Sequence, residues 1–279
     1  MSVSSRKKLA GLAFILPGLS GFALFYVWAV LLCGYYSFGD SLTHWSFAGL
    51  QNYKALFTSP AFVLAVKNTV CFLAAGIPLL LGLSVLLTFG LWYVSGKLEG
   101  RGADFLFSSW LLPMVLPAGV VQLVLPMLPG VRSAVLQRMP DCEWASAMLL
   151  MLVFLWRNTG YTVVLLYAEL SSMEKKMMEA ARVDGANYRQ CMLQICLPCM
   201  KRGLLFAAVM GAAGGMKIYR DSYFLFGEYP PERAYMLQNF LAHNYNSLNY
   251  IRLSAAGLLF VMVLSLPVAF LIRRMESEV

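Results

Sequence analysis

The sequence has 279 residues, of which 59% are hydrophobic and 13% are charged. An ordinary soluble domain carries about 25% charged residues, so this composition excludes a soluble globular fold and indicates a chain that lies in a lipid bilayer. The net charge of +8 would suggest a nucleic-acid ligand in a soluble protein. Here the basic residues lie between long apolar segments, which argues against nucleic acid and for membrane lipid as the surroundings.

Six apolar segments are long enough to cross about 30 Å of hydrocarbon as helices. They are predicted at residues 9–33, 63–94, 105–128, 145–170, 204–226 and 254–272. The first exceeds the apolar region of a secretory signal, which is about 7–15 residues, and has no clean cleavage site, so we expect it to be retained. The predicted fold is a single all-α transmembrane domain over residues 1–279.

The distribution of Lys and Arg predicts the orientation of these spans. With the N-terminus in the cytoplasm, the 22 basic residues divide into 13 in cytoplasmic segments, 5 in outer segments and 4 within spans. The five outer residues are Lys54, Arg132, Arg138, Arg233 and Arg252. This bias predicts that both termini are cytoplasmic and that residues 171–198 form a cytoplasmic loop.

The 171–198 loop has the pattern of two short helices. Met177, Ala180, Ala181 and Asp184 follow the spacing of one helix face, and Gly185 then accepts the left-handed conformation common after a helix end. A second helix should lead to Pro198, which is best tolerated near the start of the following helix. Such an element suits docking into a groove of a soluble partner, but its Lys and Arg residues would equally suit a helix lying on lipid headgroups.

The same loop resembles a known family. Its residues match the signature E-A-A-x3-G-x9-I-x-L-P of the permeases of binding-protein-dependent ABC transporters at the following positions: Glu179, Ala180, Ala181, Gly185, Ile195, Leu197 and Pro198. The Asp184-Gly185-Ala186 variant resembles the carbohydrate-uptake branch of these type I importers. Two departures are Ser172-Met173, where relatives have Ile-Pro, and residues 226–231, where relatives have a Gly-rich segment.

The resemblance implies a function and a set of partners. The chain would be a channel-forming subunit in the cytoplasmic membrane of a prokaryote and would alternate between outward-facing and inward-facing states. The 179–185 segment would dock into a cytoplasmic ABC ATPase subunit, and an external solute-binding protein would deliver a sugar or oligosaccharide. The channel would need a second permease subunit, either another copy or a related, non-identical chain.

No cofactor is expected on this chain. The sequence lacks the G-x-x-x-x-G-K-[ST] phosphate loop, so ATP and Mg would be bound by the partner ATPase, and the chain would not itself be an enzyme. His44 and His243 are expected to be solvated, and no metal site or acid–base constellation is predicted.

Polar residues at membrane depth are candidates for the solute pathway because ionisable groups there are costly. Arg157, Asn158 and Tyr161 lie near the middle of the fourth predicted span and could hydrogen-bond a polar solute. Alternatively, Arg157 pairs with a carboxylate on another helix or another subunit and only fixes packing. Lys217 of the fifth span is a further candidate for the solute pathway. We favour a structural role for it, either a local pair with Asp221, four residues away, or an outward-directed side chain.

Gly211 and Gly215 of the fifth span form a G-x-x-x-G spacing. This spacing permits close helix packing, which we favour, but it would equally leave room for a sugar ring.

Two other functions are possible for a polytopic chain. A gradient-driven secondary transporter often shows inverted repeats and broken midplane helices in both halves, and no convincing repeat is present. A membrane enzyme should present clustered His, Asp or Glu at one interface, and the sequence shows no such cluster.

Overall fold

The computed structural model describes residues 15–41, 45–95, 143–173 and 175–276. These residues are helical apart from short connections, and their one strand-like feature is an isolated antiparallel bridge between Gly39 and Phe47. The third predicted span, residues 105–128, lies outside the described residues, as do the first 14 residues.

We label the helices of the described residues α1 to α10 in chain order. They are α1 Ile15–Ser37, α2 Gln51–Thr58, α3 Pro60–Ser95, α4 Glu143–Ser172, α5 Lys175–Val183, α6 Tyr188–Cys199, α7 Lys201–Met216, α8 Tyr219–Phe226, α9 Leu237–Asn246 and α10 Tyr250–Glu276. A short 3-10 turn, Glu232–Ala234, precedes α9.

Three of these helices, α1, α3 and α4, are long and apolar enough to cross a membrane. The segments Tyr188–Cys199 and Lys201–Phe226 meet at a bend of 68°, and together they make a fourth span if the bent pair is counted as one. The predicted fifth span therefore exists but is not one continuous helix, because a turn at Lys217 and Ile218 separates α7 from α8. The predicted sixth span lies within α10, whose 27 residues suffice to cross.

The chain divides into two compact units. The first comprises residues 1–63 and 241–266. None of the apolar window of α1 is buried within the chain, as expected of a helix whose side chains face lipid. At its end, Asn52 donates to the carbonyls of Ser37 (2.9 Å) and Gly39 (2.7 Å), and the Tyr53 hydroxyl donates to Ser37 Oγ (2.8 Å). These bonds fix α2 against the end of α1.

The second unit comprises residues 64–240 and 267–279, and two buried clusters hold it together. The first cluster joins α3, α4 and the turn before α8 through side chains including Phe72, Leu80, Phe154 and Ile218. The second joins α4 to α6 through Leu166, Leu170, Met192, Cys196 and Met200. The helix α4 is therefore common to both clusters.

A stripe of small residues lets α7 approach its neighbours. The four buried residues of α7 recur every fourth position: Gly203, Ala207, Gly211 and Gly215. A Cβ on Gly211 would lie 2.9 Å from Leu80 Cδ2, and one on Gly215 would lie 2.6 Å from Leu73 Cδ2. Both distances are shorter than a van der Waals contact, so a larger residue at either position would force a leucine side chain of α3 to move, and glycine permits the close approach.

Candidate functional site

A cavity of about 420 Å³ lies where α4 faces α7 and α8. Arg157, Asn158 and Tyr161 line it from α4, and Gly211 and Lys217 line it from α7 and the turn that follows. Arg157 is at the midpoint of the 30-residue α4, so the cavity lies at about half the depth of a span. Five of the six residues predicted to line a solute pathway therefore lie around one cavity, and Gly215 is the exception.

An ion pair forms one wall of the cavity. Nη1 of Arg157 donates to both carboxylate oxygens of Asp221, at 2.7 and 2.9 Å. Asp221 is 5% exposed, so this pair joins the middle of α4 to the first turn of α8. The prediction that Lys217 pairs with Asp221 is wrong, because the turn at Lys217 changes the helix register and brings Asp221 to α4. The alternative prediction, that Arg157 pairs with a carboxylate on another helix, is confirmed.

Uncharged polar groups line the wall beside this ion pair. Asn158 donates its amide to the Phe154 carbonyl (2.8 Å), and the Thr162 hydroxyl donates to the Asn158 carbonyl (2.9 Å). Within the described part of the chain, the side-chain oxygen of Asn158 and the hydroxyl of Tyr161 have no hydrogen-bond partner. A solute with hydroxyl groups could therefore bond to both without displacing an internal bond.

The two glycines of the G-x-x-x-G spacing have different surroundings. Gly211 lines the cavity and also packs closely against Leu80. Gly215 instead lies against Leu73 and Phe154. Gly214 lines the cavity between them, and a Cβ there would collide with the side-chain oxygen of Asn158. Gly214, which the sequence did not single out, therefore limits the shape of the cavity more directly than Gly215.

The second candidate site is the cytoplasmic loop, which we call the coupling segment and define as residues 175–198. Its helix α5 spans Lys175–Val183, close to the predicted extent. Glu179 and Ala180 are exposed, and Val183 is 87% exposed. Met178 is partly buried against the cluster around Leu166. One side of α5 thus contacts the membrane helices and the other is open to a partner.

The turn after α5 has the predicted conformation. Gly185 has φ = +84°, and Asp184 and Gly185 form the turn. The Ala186 amide donates to the Ala181 carbonyl (2.9 Å), as in a Schellman-type helix end. Asn187 then begins α6 with a capping box, in which it exchanges two hydrogen bonds with Gln190, of 2.8 and 2.9 Å. This reciprocal bonding satisfies two N–H groups at the start of α6 and fixes where the helix begins.

The helix α6 carries the remaining signature residues. Ile195 and Leu197 are half-buried, and Pro198 is exposed. Pro198 is near the start of the short helical piece Leu197–Cys199, which ends at the bend before α7. A proline lacks the N–H that a continuous helix would need there, so its position agrees with the prediction.

Two polar contacts anchor the coupling segment and the start of α7 to the spans. The Tyr188 hydroxyl of α6 donates to the Phe89 carbonyl of α3 (3.1 Å). Glu169 Oε2 on α4 accepts from the Gly203 amide in the first turn of α7 (3.0 Å), where carboxylates are favoured by the free N–H groups and the helix dipole. A Cβ on Gly203 would collide with this carboxylate.

Three residues with clear structural roles were not among the predicted sites. Asn187 could have been found from its spacing to Gln190, which is typical of a capping box. Glu169 and Asp221 are acidic residues toward the ends of apolar segments, and the sequence indicated Asp221 only as a local partner for Lys217. The partners that they have in the structure are distant in the sequence, so no local pattern identifies these contacts. Among the described residues, no group of three or more His, Cys, Asp and Glu could hold a metal ion.

Comparison with known proteins identifies the family. Residues 55–279 match the family described as "Binding-protein-dependent transport system inner membrane component". The chain belongs to this family. It is therefore a multi-pass component of the inner membrane and a transport subunit rather than an enzyme, and it works with a solute-binding protein.

Individual relatives cover most of the chain. It is 26% identical over 253 residues to the arabinooligosaccharides transport system permease protein AraP of Bacillus subtilis (strain 168), covering 85% of this chain and 80% of the relative. It is 25% identical to the trehalose/maltose transport system permease protein MalF of Thermococcus litoralis, covering 95% and 94%.

A solved structure supports the fold. The chain matches one chain of a bacterial ABC transporter involved in the import of the acidic polysaccharide alginate, with a TM-score of 0.82 and 18% identity, covering 98% of this chain and 96% of that chain. The predicted all-α permease fold is confirmed by this likeness.

Proposed function

We propose that this permease forms half of the channel of an ATP-driven importer for a sugar or oligosaccharide. The observation that carries the proposal is that α4 and α7 each connect the cavity to the coupling segment. The helix α4 carries Arg157 and Tyr161 at the cavity, and it carries Leu170 in the buried cluster that joins α4 to α6. Tyr161 and Leu170 are nine residues apart, or about 13 Å along a helix, so a displacement of the segment would reach the cavity through one rigid element.

The proposed partner at the coupling segment is a cytoplasmic ABC ATPase. The exposed face of α5, with Glu179 and Ala180, would dock into a groove of that subunit, and Gly185 would set the angle at which the two helices meet it. ATP and Mg would be bound there, since this sequence contains no phosphate loop. The opposite wall of the channel would come from a second permease, most simply a related, non-identical chain.

A sugar as solute agrees with the names of the relatives, which transport arabinooligosaccharides and trehalose or maltose. The cavity offers the side-chain oxygen of Asn158, the hydroxyl and ring of Tyr161, and a wall that carries no side chain at Gly211 and Gly214. Hydroxyl partners and an aromatic face are suited to a saccharide ring. The cavity volume of about 420 Å³ lies within the usual range for small-molecule sites, about 300–1,000 Å³.

Two substitutions of Gly185 test the coupling role. Gly185→Pro fixes φ near −65° and cannot adopt the observed +84°, so we expect the chain to insert into the membrane but to lose at least about 90% of ATP-dependent uptake. Gly185→Asn is the matched control, because Asn tolerates the left-handed region and nothing lies within 4 Å of the position a Cβ would take.

The assay is saccharide uptake into proteoliposomes that contain the complete importer, with ATP hydrolysis measured in parallel. We expect Gly185→Asn to retain most of the uptake and Gly185→Pro to lose the stimulation of ATP hydrolysis by the solute-binding protein. Normal uptake by Gly185→Pro would contradict the coupling role. Loss of uptake in both variants would mean that glycine itself, rather than the turn conformation, is needed at the interface.

A further inference from the structure

The charges around the cavity do not balance. Its lining contains three cations, Arg157, Lys217 and Arg220, and one anion, Asp221. Asp221 bonds through both carboxylate oxygens to Arg157, so the negative charge of the lining is already neutralised by one of the three cations. Among the described residues, the lining therefore keeps a net charge of +2.

The two remaining cations have no counterion within the described residues. Asp221, the one carboxylate among the described residues of the lining, is paired with Arg157, and both Lys217 and Arg220 are exposed side chains. They lie at the turn between α7 and α8 and in the first turn of α8, where the Arg220 amide donates to the Lys217 carbonyl (3.4 Å). A single turn of backbone thus presents two positive charges to one cavity.

Cations at this depth are unfavourable unless an anion or water stabilises them. An uncharged saccharide would occupy the cavity without offsetting either charge and would remove part of their water. A carboxylate or phosphate would instead form charge-assisted hydrogen bonds with both. The uncharged groups of Asn158 and Tyr161 on the other wall would remain for the hydroxyl groups of the same solute.

We infer that the solute of this cavity is an anionic saccharide, whose carboxylate or phosphate is bound by Lys217 and Arg220 and whose ring hydroxyls are bound by Asn158 and Tyr161. This inference rests on the proposed function and specifies its substrate. Arg157 has a different role, because its guanidinium is engaged by Asp221 and holds the wall in place. Lys217 and Arg220 are therefore the residues that select an anionic solute over a neutral one.

Binding to the purified importer complex, without the solute-binding protein, tests the inference. The probes are two matched pairs, trigalacturonate with its trimethyl ester and glucose 6-phosphate with glucose, measured by calorimetry in detergent. We expect at least one anionic probe to bind about tenfold or more tightly than its neutral partner, since a hydrogen bond to a charged group contributes enough for such a ratio. The pair that shows the preference identifies the anion as carboxylate or phosphate, and rising salt should reduce it.

The variants are Lys217→Gln and Arg220→Gln, with Arg252→Gln as the control, because Arg252 is exposed in the other compact unit. Each of the first two should lower the preference for the anion at least about threefold and leave the affinity for the neutral probe unchanged, while the control should change neither. Equal affinity for both members of each pair would overturn the inference, as would equal losses for charged and neutral probes in the variants. The proposed importer function is tested by a separate measurement, because its failure would appear as the absence of ATP-dependent saccharide uptake.

Discussion

The ion pair between Arg157 and Asp221 should contribute measurably to stability, and a double-mutant cycle can isolate its contribution. Breaking a fully buried pair by removing one partner costs about 3–5 kcal/mol. The Asp221 side chain is 8% exposed but that of Arg157 is 26% exposed, so solvent screening reduces the expected cost to about 2–3 kcal/mol. Arg157→Met and Asp221→Asn should each lower the free energy of unfolding by this amount.

The double variant distinguishes a direct pair from two independent effects. If the side chains stabilise the fold through each other, the double variant should lose about as much as either single variant, which gives a coupling energy of about 1.5–3 kcal/mol. Unfolding is followed by helix content during denaturant titration in mixed micelles, with Arg252→Met as a control expected to change stability by less than about 0.5 kcal/mol. Additive losses of about 4–6 kcal/mol in the double variant would refute the assigned pairing.

Two further substitutions probe the coupling segment and its attachment. Gly203→Ala should cost about 1–3 kcal/mol of stability and lower uptake, because the added methyl group collides with the Glu169 carboxylate. The double variant Gly203→Ala, Glu169→Ala should regain part of the uptake. If it regains none, this contact does not explain the loss. Asn187→Ala removes the capping box and should lower the stability of α6 by about 1 kcal/mol. The measurement is amide hydrogen exchange, which should become faster in α6. Unchanged exchange would mean that packing alone fixes this helix.

The sequence predicts most of the membrane architecture because long apolar segments have few alternatives to spanning a bilayer. It also predicts the coupling segment, since the turn at Gly185 and the proline shortly before the bend at Met200 depend on the backbone properties of single residues. The short helices α2 and α9 were not predicted, because a helix of 8 to 10 residues of mixed polarity in an outer loop carries little periodic signal.

The geometry of the cavity could be predicted only in part. Arg157, Asn158 and Tyr161 stand out as polar residues in an apolar segment, which locates one wall. The second wall depends on the turn at Lys217, which follows the Gly214-Gly215 pair. A glycine pair can mark a turn, but the sequence analysis considered Gly211 and Gly215 only for packing or for a sugar ring. Because a turn of one or two residues changes which side chains share a face, Asp221 meets Arg157, 64 residues away, instead of the local partner that helical spacing favours.

The central claim is that this permease acts only as part of an ATP-driven assembly. The most direct test is to purify the chain from its native membrane in mild detergent and to identify by native mass spectrometry what remains bound to it. We expect a complex that contains two copies of a phosphate-loop ATPase and a second permease subunit. Recovery of this chain alone, stable and monodisperse, would contradict the claim and favour a transporter driven by an ion gradient.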